Sequence, residues 1–137
     1  MDLKKIRAQA KAYLEKNVPN VTFDYAIKEN AVFIASNNVS IKGIDRGVDL
    51  FMVFGANERF IFSCRVPYVK ETLTSYKLID KLNESVVDFK FYFYNGNLTI
   101  MANPWYLNED NCKMFIDYHL DKLLEFFQEE NINRLLR

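Results

Sequence analysis

Along the chain, apolar positions fall into three helical stretches and at least five strand-like ones. Leu3, Ile6, Ala10, Tyr13 and Leu14 recur at helical spacing with Lys and Arg opposite them. Asp2 is placed to cap that helix, and Asn17-Val18-Pro19-Asn20 stops it, because residues before proline avoid the helical region. Val21, Phe23, Tyr25 and Ile27 then alternate with Thr22, Asp24, Ala26 and Lys28, which predicts a strand. Lys28-Glu29-Asn30 turns the chain into Ala31–Ser36. Asn37-Asn38 bends it toward Val39–Ile44, as one bulged strand or two. Gly43 and Gly47 bracket a loop over Ile44-Asp45-Arg46.

Asp49–Phe54 and Arg59–Arg65 form the next hairpin, joined by Gly55-Ala56-Asn57-Glu58. Phe60, Phe62 and Cys64 share its core face, while Arg59, Ile61, Ser63 and Arg65 share a wetter one. Pro67 is predicted to open a second helix, where its missing N–H costs nothing. Val69, Leu73, Tyr76, Leu78, Ile79 and Leu82 would form its buried side, and Asn83 its end.

The stretch FKFYFYNGNLTI, Phe89 to Ile100, is aromatic on both faces. Asn95-Gly96 between two alternating runs signals a two-residue hairpin turn, and that turn fixes the register. Tyr94 pairs with Asn97, Phe93 with Leu98, Tyr92 with Thr99, Phe91 with Ile100, Lys90 with Met101 and Phe89 with Ala102. One face (Phe89, Phe91, Phe93, Leu98, Ile100, Ala102) is core. The other (Lys90, Tyr92, Tyr94, Asn97, Thr99, Met101) is amphipathic, suited to water and to contact with a partner.

Asn103-Pro104-Trp105-Tyr106 is predicted as a loop that plugs the sheet's end or presents a contact. Asn108 is expected to cap a long closing helix, with Cys112, Ile116, His119, Leu120, Leu123, Leu124 and Phe127 on its apolar stripe, widened by Phe115 and Phe126. Asn131 to Arg137 is expected to fray. The order α-βββ(β)-α-ββ-α over residues 1–137, taken as one domain, is an α+β architecture with an antiparallel sheet.

Composition narrows the function classes. Lys and Arg number 18 and Asp and Glu number 18, so no net field draws in nucleic acid or an anionic membrane, and neither is expected as a partner. No run of 18 apolar residues is present, and the first residues lack the apolar core of a secretory signal, so the cytoplasm is the expected location. Cys64 and Cys112 sit far apart in apolar patterns, as buried reduced thiols do. His119 is the one histidine and lies on an apolar stripe. Asp117, two residues away, points to another side of the helix and makes no dyad with it. Neither cysteine has metal-ligand spacing, no nucleophile elbow occurs, and four glycines form no phosphate loop. No catalytic residue, metal or cofactor is therefore expected.

From Pro67 to Phe127 the chain resembles the C-terminal half of the YbjN family, whose fold is that of type III secretion chaperones. The resemblance lies in a helix ending at Leu78-Ile79-Asp80-Lys81-Leu82-Asn83, a short-turn hairpin from Phe89 to Ala102, and a polar cap at Asn108-Glu109-Asp110 before a long helix to Phe127. The first half is similar in element order. The resemblance implies a small α+β protein, often a homodimer, that holds a largely non-globular partner chain along apolar patches, and it supplies no catalytic residues. The expected function is non-enzymatic protein binding through Tyr92, Tyr94, Trp105 and Tyr106, with a protein partner or a second copy. Two other readings stay open: a small-molecule site or enzyme pocket between the sheet and last helix near His119 and Cys64, and an assembly protein of a phage or mobile element.

Overall fold

A computed structural model of the chain describes residues 1–136. The fold is α+β: an antiparallel sheet with its helices packed on one face. The elements are α1 (Leu3–Asn17), β1 (Asp24–Lys28), β2 (Ala31–Val39), β3 (Val48–Gly55), β4 (Arg59–Val66), α2 (Leu73–Ser85), β5 (Phe89–Tyr94), β6 (Asn97–Ala102), β7 (Trp105–Tyr106), α3 (Cys112–Phe126) and α4 (Glu130–Leu136). The strand order is β1-β2-β3-β4-β6-β5, with β7 pairing the start of β4.

Asp2 caps α1 by accepting from the Lys5 N–H at 3.2 Å. The β5–β6 hairpin has the register that its Asn-Gly turn dictates, all six pairs included. Asn95 and Gly96 take the positive φ values, 50° and 76°, that this turn requires. Between β2 and β3 the register shifts from Ser36 to Val39, with Asn38 at φ 57°, so the Asn pair makes a bulge within one strand, and that strand ends at Val39 instead of running on to Ile44.

Three expectations are corrected. Pro67 does not open α2. The helix begins at Leu73 behind Thr72, whose side chain and that of Ser75 satisfy each other's backbone N–H groups in a capping box. The connector before it is tied down by Arg46, whose guanidinium donates to the carbonyls of Pro67 (3.1 Å), Tyr68 (2.8 Å) and Leu136 (2.6 Å). The helix also buries a different face: Ser75, Leu78, Ile79 and Leu82 are buried, while Leu73 and Tyr76 are exposed. Second, the closing segment through Leu136 is helical where the sequence predicts fraying. α4 docks through Ile132, Leu135 and Leu136, all buried; Arg137 lies outside the described residues. Third, Trp105-Tyr106 is not loop but the short strand β7. Asn108 does cap the closing segment, but as a 3-10 turn over Glu109–Asn111 that runs into α3.

The core lies between the inner face of the sheet and the helices. Phe115 of α3 meets Phe54 and Phe60 edge-on at 5.6 and 5.5 Å between ring centres, and Phe126 meets Phe91 at 4.8 Å. α1 contributes Ile6, Ala10 and Leu14, all fully buried. Among the described residues, no helix is long and apolar enough to cross a membrane.

Candidate functional site

The pleat sends alternate residues of every strand to the face away from the helices. On that open face the cross-strand pairs align into rows. One row reads Asp24, Ala35, Phe51, Ser63, Met101, Lys90 from β1 across to β5. Beside it run Ala26, Phe33, Val53 and Ile61 on one flank and Asp49, Arg65, Thr99 and Tyr92 on the other. Most of these side chains are half-buried by their neighbours, and Phe51 remains 39% exposed. Phe33 and Phe51 pack ring to ring at 6.1 Å, and the Lys28 ammonium sits 5.2 Å over the Phe33 ring. The result is an apolar and aromatic band with charges toward its margin.

Tyr92 and Tyr94, on β5, belong to this face and are 41% and 64% exposed. They border a shallow depression of about 290 Å³ whose floor includes Ala35, Phe51, Ser63 and Thr99. Arg65 and Asp49 cross it as an ion pair at 2.9 Å. Both Asp49 oxygens are engaged, one by Arg65 and one by the Asn38 N–H at 3.1 Å. The depression therefore offers hydroxyls, aromatic rings and an already paired charge.

Trp105 and Tyr106 lie elsewhere. Tyr106 pairs with Arg59, six residues along β4 from the Arg65 row and so about 20 Å away. It is exposed on the open side. Trp105 faces inward, with its ring 5.0 to 5.7 Å from those of His119, Tyr118 and Phe115, and closes the end of the core. The structure thus brings Tyr92 and Tyr94 together and separates them from the Trp-Tyr pair.

His119 and Cys64 are both 1% exposed. His119 is ringed by Phe115, Trp105, Tyr118, Phe62 and Phe89 at 4.3 to 6.2 Å. Its Nδ1–H donates to the Phe115 carbonyl at 2.8 Å. Burial holds its pKa below the ordinary value, against weaker upward pulls from that carbonyl and from Asp88. Burial likewise pushes the Cys64 thiol well up, with a further push from Asp49. Such a thiol is a poor nucleophile. Tyr13, on α1, donates to Asp117 on α3, and burial first and that bond second raise its pKa to about 12. Asp117 is thus committed to an interhelical bond, away from His119. Among the described residues, no three His, Cys, Asp or Glu side chains gather as metal ligands would.

One residue read only as a helix stop has a different position. Asn83, on α2, reaches the outer edge of β5 and bonds both backbone groups of Phe91. A polar amide two residues before the end of a helix gives no local sign of this; only the docking of α2 against β5 shows it.

No family model, curated protein or solved structure matches this chain.

Proposed function

We propose that this chain is a non-enzymatic protein-binding module of chaperone type, which works as a homodimer and holds a partner polypeptide at the Tyr92–Tyr94 side of the open face of its sheet. The observation that carries the reading is the one-sided packing of the fold. The described helices cover one face, and Phe33, Phe51, Val53, Ile61, Met101, Tyr92 and Tyr94 lie uncovered on the other. A contiguous apolar face rimmed by polar groups is what protein interfaces present. Tyrosines add contact area at little cost in side-chain entropy. The edges are less suited. β5 is closed at its middle by Asn83, and β1 is a five-residue strand with Asp24 and Lys28 at its ends.

The test uses a permanently unfolded probe, reduced carboxymethylated α-lactalbumin, titrated with the protein and followed by fluorescence anisotropy. Binding is expected, and the Tyr92→Ala/Tyr94→Ala double variant should weaken it with the circular dichroism spectrum unchanged. Binding that is absent, or indifferent to both substitutions, would remove the reading. Unfolding of the double variant would show these residues to be core.

A further inference from the structure

The open face is complementary to itself. A two-fold axis parallel to the strands, between β3 and β4, lays each row of a second copy on its own reverse. In the row Asp24-Ala35-Phe51-Ser63-Met101-Lys90, Asp24 then faces the partner's Lys90, Ala35 faces Met101, and Phe51 faces Ser63. Each pairing joins opposite charges, or a large side chain with a small one. In the next row Asp49 faces the partner's Arg65, and in the other flanking row Val53 faces Ile61. The two ends of one row carry opposite charges, and its bulky and small positions interchange under the rotation.

We propose that the open face is the homodimer interface, with two copies packed sheet to sheet about this axis. The proposal rests on the reading of that face as a protein-contact surface and names its occupant as a second copy of the chain. Aligned sheets pack about 10 Å apart with strand directions within about 30°. That geometry keeps the β3 and β4 pairs in register near the axis, and it shifts the outer Asp24–Lys90 pair by a distance the long lysine side chain spans. The face measures roughly 24 by 20 Å, from six strands at ~4.8 Å spacing and about six residues at ~3.4 Å. With side-chain relief this is of the same order as the ~800 Å² per partner that stable pairs bury. Tyr92 and Tyr94 project past the start of the partner's β1, so the dimer leaves them at its margin, where a held polypeptide reaches them.

Sedimentation equilibrium at micromolar concentration tests the packing. The wild-type protein should be a dimer. Ser63→Phe sets a bulky ring against the partner's Phe51, and association should weaken about tenfold or more. The swap Phe51→Ser/Ser63→Phe keeps the same two side chains paired within each chain and restores the complementarity, so it should recover the dimer. Asp24→Lys and Lys90→Asp should each weaken association, and together restore it. A monomeric wild type overturns the proposal. So does a dimer that ignores Ser63→Phe, or one that the swap fails to rescue while circular dichroism shows a folded chain. If the monomer still binds the unfolded probe through Tyr92 and Tyr94, the protein-binding function stands and the homodimer, with its geometry, fails.

Discussion

Asn83 of α2 holds both backbone groups of Phe91 on β5: its Nδ2 donates to the Phe91 carbonyl at 2.9 Å and its Oδ1 accepts the Phe91 N–H at 2.8 Å. The amide stands where the next strand's peptide would stand. This closes the edge of the sheet at its middle and directs protein contact to the face. Asn83→Ala leaves two part-buried backbone groups without partners, so urea denaturation should show a loss of about 2–3 kcal/mol. The freed edge should also raise aggregation, read by light scattering. A neutral substitution would show that the edge needs no lock.

Cys64 separates the protein-binding account from a pocket beside the last helix. It faces the core from β4, nearly unexposed, with its thiol pKa raised by burial. Ellman's reagent should therefore modify it no faster than the chain opens. Rapid modification of the native protein would show access from solvent and favour a ligand pocket.

His119 sets a pH dependence of stability. Its folded pKa lies below the ordinary 6.5 because burial disfavours the charged ring. Below pH 6.5 the unfolded chain takes up the proton before the folded chain does. Stability therefore falls as pH drops from there toward the folded pKa, and levels off beneath it. The charged and titratable groups beside the ring are Asp88 and Tyr118, themselves hydrogen-bonded at 2.6 Å. Urea midpoints at pH 7 and pH 5 should differ in the wild type, and His119→Phe should shrink the difference. An equal drop in both proteins would assign the acid sensitivity to other groups.

The closing helix is structural. Ile132 is fully buried, and Arg46 holds the Leu136 carbonyl from the β2–β3 loop. Ile132→Ala should cost about 2–5 kcal/mol in chemical denaturation, as cavities in a packed core do. A loss under about 0.5 kcal/mol, the range of surface substitutions, would mean that α4 does not stay docked.

What the sequence discloses follows the range of the interactions involved. The β5–β6 register is legible because two turn residues determine it locally. The start of α2 is not, because Pro67 is a strong signal for a first helical position and competes with the weaker Thr72-x-x-Ser75 cap. In the fold Tyr68 stands at φ 61°, outside the helical region, and Arg46, some twenty residues upstream, holds the Pro67 and Tyr68 carbonyls. The docking of α4 escapes notice because the run from Glu129 to Arg134 is mostly polar, with Ile132 alone carrying its first buried contact. Tyr92 and Tyr94 are legible as a half-wet face of one hairpin. That Phe33, Phe51, Val53 and Ile61 extend the same face is not, since it depends on β6 returning beside β4.

The most direct test of the central claim is hydroxyl-radical footprinting of the free protein against its complex with the unfolded probe, and of dilute against concentrated protein. Concentrating the protein is expected to protect Phe51 and Met101, and adding the probe is expected to protect Tyr92, with Leu73 and Tyr76 on α2 unchanged in both. Protection confined to Leu73 and Tyr76, with the open face oxidised equally in every state, would contradict the account and move the contact surface to α2.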